Sequence, residues 1–182
     1  MMRAIRSHCH NRVLIILDKQ QTAKFNLANP VHFLALGFGS GLLKPAPGTW
    51  GTLAAVPLFL LVVNLVPTMT INFVLLIVVM TVVGFYFCGR AADDVGVHDH
   101  SAIVWDEIVG LFITLAVVPP TWINLVVGFL LFRVFDIVKP WPIRLLDRHV
   151  HGGIGIMVDD VVAGILAAAC LWFAQDWLAS LV

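Results

Sequence analysis

Nine of the eleven carboxylates in this chain, Asp93, Asp94, Asp99, Asp106, Glu107, Asp136, Asp147, Asp159 and Asp160, fall between positions 93 and 160. The densest polar run is His98-Asp99-His100-Ser101-Ala102-Ile103-Val104-Trp105-Asp106-Glu107, with apolar sequence on both sides. Acids concentrated in apolar surroundings suit a hard divalent cation such as Mg²⁺, which prefers carboxylate oxygens and keeps several waters. Adjacent acids on a helix diverge by about 100°, so Asp106 and Glu107 are not expected to chelate one ion together easily. One would bind the metal while the other orients a water or a partner base. Asp99 and Asp106 would share a helical face if the residues between them were helical. The competing reading of this run is a solvated loop at an interface.

Three further groups could join that chemistry. Asp159-Asp160 stands at the expected entry to the last apolar segment, where capping and the helix dipole favour an acid. Capping accounts for one of the pair, and a metal accounts better for the second. Arg133, Asp136 and Lys139 are spaced i, i+3, i+6 at the end of another apolar segment. They form either a salt-bridged helix end or, near a metal, a clamp for phosphate, and charges in apolar segments are costly enough to be functional as a rule. Lys44-Pro45-Ala46-Pro47-Gly48-Thr49-Trp50-Gly51-Thr52 breaks the backbone and leads into a helix. Thr49 is a candidate N-cap there, beside amide groups able to accept an anion. The run lacks the Gly-Lys-Ser/Thr of a phosphate-binding P-loop. His32, His149 and His151 are isolated and not expected to be ligands, and Arg144, Asp147 and Arg148 read as a basic surface patch with local ion pairs.

Composition narrows what these groups can belong to. The chain has 182 residues, one domain by length, of which 60% are hydrophobic and 12% charged, and its mean hydropathy is +0.95. Soluble domains carry about 25% charged residues, so an integral membrane protein is expected. Zero formal charge gives no case for binding nucleic acid. Cys9, Cys88 and Cys170 lie far apart, with neither metal-ligand nor disulfide spacing. There is no Cys-x5-Arg loop, no Asp-x-Asp nucleophile pair and no Gly-x-Ser-x-Gly elbow. Metal-assisted hydrolysis at phosphorus remains.

The elements that must position these residues read as helices. Residues 1–28 form a basic arm with Arg3, Arg6, Arg12, Lys19 and Lys24, expected on the cytoplasmic side. Residues 29–182 form the helical membrane domain. Val31 to Gly41 is too short to cross ~30 Å of hydrocarbon and reads as a short interfacial helix. Trp50–Val66 and Ile71–Cys88 read as one hairpin around an uncharged turn, followed by a polar loop from Gly89 to Glu107. Ile108–Val118 and Trp122–Val138 make a second hairpin around Pro119-Pro120-Thr121. Its first arm is short unless it reaches back toward Ile103, which would draw Asp106 and Glu107 onto a helix. A second polar loop, Lys139–Gly155, leads to a last helix over Val158–Leu181. The expected fold is all-α, a polytopic bundle with about four to five membrane-embedded helices plus short interfacial ones. The basic residues fall on one side of the two hairpins, which makes that side cytoplasmic.

The motifs Pro47-Gly48-Thr49, Val97-His98-Asp99-His100 with Ile103-Val104-Trp105-Asp106-Glu107, Phe132-Arg133 with Asp136 and Lys139-Pro140-Trp141-Pro142, and His151-Gly152-Gly153 with Asp159-Asp160 together resemble the phosphatidylglycerophosphatase A family. The resemblance runs from about Asn29 to the C-terminus, with Trp50-Gly51-Thr52 where the family more usually has Met-Gly-Ser. It implies an all-helical, Mg²⁺-dependent enzyme of the bacterial inner membrane, its active site facing the cytoplasm, that converts phosphatidylglycerophosphate to phosphatidylglycerol and phosphate. On this resemblance Asp106, Glu107, Asp159 and Asp160, with Asp99 or Asp136 assisting, hold one or two Mg²⁺ ions, and Asp99, Asp106, Glu107 and Asp160 carry catalysis. Arg133, Lys139, Lys44 and the Thr49 helix start hold the phosphate. A carboxylate, His98 or His100 handles protons, and direct attack by water is favoured over an aspartyl-phosphate. The rival readings are a polyprenyl-phosphate phosphatase and a non-catalytic scaffold with a cation site.

Overall fold

The computed structural model describes residues 24–97, 100–141, 143–144 and 152–180, and every regular element among them is helical. In chain order these are α1 (Pro30–Ala35), a 3-10 turn (Ser40–Leu42), α2 (Pro47–Val63), α3 (Ile71–Val95), α4 (Trp105–Leu115), α5 (Trp122–Val138) and α6 (Gly152–Ala179). The basic arm up to residue 23 lies outside the described residues, as do His98, Asp99, Asp147, Arg148, His149 and His151.

Local chemistry sets most helix ends. Asn29 caps α1 by accepting from the Val31 amide at 3.0 Å, and Thr121 caps α5 by accepting from the Asn124 amide at 3.3 Å. Each satisfies an amide that a helix start leaves without an intrahelical partner. Pro47 opens α2 at N1, where a missing N–H costs nothing; the cap position is Ala46, with no side-chain bond. Thr49 is therefore a first-turn residue of α2 and not its cap.

Two helices overrun the ends expected from apolarity. α3 continues seven residues past Cys88, through Gly89-Arg90-Ala91-Ala92-Asp93-Asp94-Val95. Nothing there breaks a helix, and Arg90 and Asp94 pair at 3.2 Å across one turn. It stops at Gly96, left-handed with φ 73°, whose amide returns to Ala92 and Asp93. The expected loop Gly89–Glu107 thus shrinks to a short connection. α6 starts at Gly152 rather than Val158, which puts Asp159 and Asp160 about two turns inside it. Helix-end capping does not explain them. α4 begins at Trp105, so Asp106 and Glu107 stand on its first turn. Ser101 to Val104 are not helical, so no continuous helix links the Asp99 region to Asp106.

α4 is the centre of the bundle. It packs against α2, α3, α5 and α6, and Ile108, Leu111, Phe112 and Leu115 are fully or almost fully buried. A helix apolar all round belongs inside. Phe112 stacks on Phe73 of α3 at 6.1 Å and meets Phe59 of α2 edge-on at 5.5 Å. The two hairpin turns, which contain no charged residue, are joined by Met69 N–H to Ala116 O at 2.9 Å and Thr68 Oγ1–H to Val118 O at 3.1 Å.

α4 and α6 cross at close range. A Cβ on Gly164 would sit 2.6 Å from the Gly110 carbonyl oxygen. Thr114 Oγ1 donates to that oxygen at 2.9 Å and lies 3.4 Å from the Gly164 carbonyl oxygen. Gly89 and Gly153 make a similar contact between α3 and α6, where a Cβ on Gly153 would strike the Phe85 carbonyl.

α3 and α6 are long and apolar enough to cross a membrane. On α3, Val74, Leu75, Val78, Val79 and Val82 are each about half exposed. On α6, Ile165, Trp172 and Phe173 are exposed too. Apolar faces of this extent mark contact with a bilayer or a partner rather than with water. The charged residues that line the site below gather at the opposite end of the bundle from the two uncharged turns.

Gly164→Ala forces α4 and α6 apart, because the new Cβ meets backbone and not a flexible side chain. The expected cost is about 1–3 kcal/mol, read as a lower thermal midpoint of the detergent-purified protein. An unchanged midpoint would show that the crossing tolerates separation.

Candidate active site

Asp106 lies one helical turn before Gly110, and Asp160 one turn before Gly164. Because α4 and α6 touch at the two glycines and run parallel, the two carboxylates face each other one turn above the contact. Glu107 reaches the same point. One oxygen from each of Asp106, Glu107 and Asp160 lies within 4.8 Å of the others. Asp106 and Glu107, about 100° apart around the helix, thus bring one oxygen each to the same point.

These carboxylates line a cavity of about 390 Å³ bounded by the starts of α2 and α4, the end of α5 and the first third of α6. Asp136, Asp159, Arg133 and Lys139 line it as well. Arg133 Nη1 donates to Asp136 Oδ2 at 2.5 Å and lies 4.0 Å from Glu107 Oε1. Lys139, left-handed with φ 44° at the C-cap of α5, donates through Nζ to Asp159 Oδ2 at 2.5 Å. The cavity therefore holds five acids and two bases, mostly buried. Asp136 and Asp159 are neutralised by the two cations.

The three-carboxylate group carries two oxygens of a different kind. Glu107 Oε2 and Asp160 Oδ2 are buried with no hydrogen-bond donor. Burial, and then the adjacent Asp160 charge, push the Glu107 carboxyl from 4.5 up to about 8. Glu107 sits in the first turn of an 11-residue helix, about 16 Å long and too short to cross a bilayer. Three gathered carboxylates, two of them with an oxygen that no donor reaches, suit a hard cation, so this donor set fits Mg²⁺. Gly48 leaves the room: a Cβ there would strike Glu107 Oε1 and lie 3.3 Å from Arg133 Nη1.

α2 holds Arg133 from the other side. Thr52 Oγ1 lies 3.4 Å from Arg133 Nη1 and donates to the Gly48 carbonyl at 2.8 Å, and Thr49 Oγ1 lies 3.5 Å from Nη2. Thr49, expected at the phosphate, contacts the arginine. Thr52 escaped the sequence reading, although Thr49-x-x-Thr52 puts both hydroxyls on one helical face. Gly110 and Gly164 escaped it too, and their signal was the shared spacing Asp-x3-Gly in Asp106–Gly110 and Asp160–Gly164. Lys44 is exposed and does not line the cavity. Asp99 lies outside the described residues. His100 is buried away from the cavity, its Nδ1 accepting from the Ala102 amide at 3.1 Å and its ring 5.1 Å from Phe25. His32 is structural: Nδ1 accepts from the Asn26 amide at 3.0 Å, so Nε2–H faces Asp94 Oδ2 at 3.1 Å.

Comparison with known proteins adds an independent line. The family described as Phosphatidylglycerophosphatase A matches residues 33–175. The chain is similar to the Phosphatidylglycerophosphatase A of Escherichia coli K12, 47% identical over 152 residues that cover 83% of this chain and 87% of that one. It is also similar to the protein of the same name from Haemophilus influenzae, 46% identical over 156 residues, 85% of this chain and 94% of that one. No solved structure matches the chain.

A carboxyl raised by its surroundings makes the folded chain hold a proton that the unfolded chain releases. Stability of the metal-free protein therefore falls as pH rises from about 4.5 to about 8. Glu107→Gln is expected to reduce that slope, to which the buried Asp160 carboxyl also contributes, and to raise the thermal midpoint in EDTA at pH 8, and any midpoint rise on adding Mg²⁺ is expected to be smaller than in the wild-type protein. Thermal scans across pH, with EDTA and then with Mg²⁺, check both signs; a lower EDTA midpoint for the variant would contradict the repulsion.

Proposed function

The chain belongs to the phosphatidylglycerophosphatase A family, and from that premise we propose that it hydrolyses the terminal phosphomonoester of phosphatidylglycerophosphate, releasing phosphatidylglycerol and inorganic phosphate in phospholipid biosynthesis. The observation that carries the reading is the meeting of Asp106, Glu107 and Asp160 in one cavity with Arg133 and Lys139. Carboxylates for a cation beside cations for an anion are the two halves of a metal-assisted phosphatase.

In this reading Asp106, Glu107 and Asp160 hold Mg²⁺. When bound, Mg²⁺ lowers the pKa of a coordinated water and offsets charge on the phosphoryl oxygens. Arg133 offers its guanidinium to two phosphate oxygens, a geometry lysine cannot reproduce. Thr49 and Thr52 keep the guanidinium turned to the cavity, and Lys139 supplies a second cation from the opposite wall. Asp136 and Asp159 hold these two cations before substrate arrives, so the clamp is preorganised. Water attacks phosphorus as the bond from phosphorus to the glycerol oxygen breaks; a cavity carboxylate accepts a proton from the water and passes it to the departing glycerol oxygen.

The same reading sets the protein in the bacterial inner membrane. In that setting α3 and α6 cross the bilayer, α2 and α5 are embedded beside them, and α4 is enclosed by the other four. The end carrying Lys24, Lys44, Arg90, Arg133 and Lys139 faces the cytoplasm by the positive-inside rule, so the cavity opens where the headgroups of the inner leaflet lie.

The decisive assay is phosphate release from phosphatidylglycerophosphate by detergent-purified protein, with Mg²⁺ and then with excess EDTA. Release is expected only with Mg²⁺. Asp106→Asn and Asp160→Asn are each expected to lower kcat by about 10³-fold or more, on the scale of removing a principal transition-state stabiliser. Arg133→Lys is expected to lower kcat/KM by about 10²-fold while the protein stays folded. Full activity in EDTA, or in either Asp variant, would remove the metal assignment. Release from a polyprenyl phosphate but not from phosphatidylglycerophosphate would replace the substrate.

A further inference from the structure

Two cations line the cavity, and they are held in different places. Arg133 lies beside the carboxylate group: its Nη1 is 4.0 Å from Glu107 Oε1, and Thr49 and Thr52 of α2 contact the guanidinium. Lys139 is held from α6, its Nζ donating to Asp159 Oδ2 at 2.5 Å. Asp160 belongs to the gathered carboxylates, whereas its neighbour Asp159 holds the lysine. The chain from Arg133 to Lys139 advances about 9 Å along a helix axis. Depth separates the two as well, since the Arg133 side chain is 14% exposed and that of Lys139 27%. Lys139 also keeps a left-handed backbone, φ 44°, at a helix end where glycine is the usual residue. Backbone strain of this sort persists where the side chain has a use.

Resting on the phosphatase reading above, we infer that Lys139 determines specificity by taking the internal phosphodiester of the substrate, while Arg133 takes the terminal phosphomonoester. Spacing is the first argument. The glycerol and its ester oxygens separate the two phosphorus atoms by about 7 Å when extended, at ~3.8 Å for each three bonds. That separation suits two seats and is too long for one. Depth is the second. The terminal phosphate must reach the carboxylates at Glu107, and the diester trails it toward the lipid, where the more exposed cation stands. Volume is the third. At the ~30 Å³ that a water occupies in the liquid, a cavity of about 390 Å³ has room for about a dozen non-hydrogen atoms. Two phosphates with the glycerol between them fill it, and a single phosphate group fills less than half.

The competing arrangement has both cations on the one monoester. Arg133 and Lys139 would then act on every lipid phosphomonoester alike, and neither would read what lies behind it.

The test compares kcat/KM for phosphatidylglycerophosphate with that for phosphatidic acid, a phosphomonoester with no diester behind it, in the same mixed micelles. A ratio taken within one variant does not depend on how much of that variant is folded. Lys139→Gln is expected to lower the ratio by about tenfold, the scale of one lost hydrogen bond to a charged group. Lys139→Arg, which keeps the charge, is expected to restore it. Arg133→Lys is expected to lower both values by a similar factor, because both lipids carry the monoester. Inhibition gives a second readout, which does not need phosphatidic acid to be a substrate. Lys139→Gln is expected to weaken inhibition by phosphatidylglycerol, which keeps only the diester, by about tenfold, and inhibition by inorganic phosphate less. A wild-type ratio near one, an equal loss on both lipids in Lys139→Gln, or inhibition by phosphate weakened more than that by phosphatidylglycerol each overturns the inference. If the wild-type protein releases phosphate from neither lipid, the phosphatase reading itself falls, a result distinct from an unchanged ratio.

Discussion

The site depends on one steric fact, the backbone contact between Gly110 on α4 and Gly164 on α6. Two parallel helices that touch through glycine come closer than any side chain allows, and residues one turn away on each are forced to face each other. Those residues are Asp106 and Asp160. Thr114 holds the crossing by donating to the Gly110 carbonyl, and Phe132 covers Gly110 from α5, where a Cβ would strike its ring. Apolar packing, with no charge of its own, thereby sets the distance between two charges.

Electrostatics then works against the fold that packing imposes. Five acids and two bases share a cavity of about 390 Å³, and like charges in a low-dielectric setting repel strongly. Arg133 and Lys139 neutralise Asp136 and Asp159 at contact distance. Burial, and behind it the charge of Asp160, push the Glu107 carboxyl upward. Strain of this kind persists where the surrounding structure over-determines it and where it has a use. A divalent cation is the partner that would turn this arrangement from a cost into a gain.

The rest of the bundle reads as a consequence of holding that centre between water and hydrocarbon. α4 is short because it needs only to carry two acids at one end and fill the core along the rest. α2, α3, α5 and α6 surround it and present apolar side chains outward. The residues that could act on a phosphate are confined to one end, while the opposite turns carry no charge and are tied to each other by one backbone and one side-chain hydrogen bond. A lipid-active site requires this polarity, since the scissile bond lies in the headgroup and the rest of the substrate in hydrocarbon.

Much of the fold was legible in the chain because apolar runs and turn residues act locally. The bounds of α5, Trp122 to Val138, follow from Thr121 as a cap and from the apolar run ending at Lys139-Pro140. The uncharged turns, the all-helical character and the acids and bases of the cavity are legible for the same reason. Hydropathy marks where a chain avoids water, but a helix ends where its backbone bonding ends. α3 therefore ran on to Gly96, and α6 began at Gly152, carrying Asp159 and Asp160 from an expected helix start to a buried interior. The grouping of Asp106 and Glu107 with Asp160, more than fifty residues away, was expected only from the family resemblance and was not legible in the spacing of the residues themselves. Nor was the grip of Thr49 and Thr52 on Arg133. Both depend on which helices cross and how closely, and that is decided by the shape of glycine contacts between segments distant in sequence, where no local pattern records the partner.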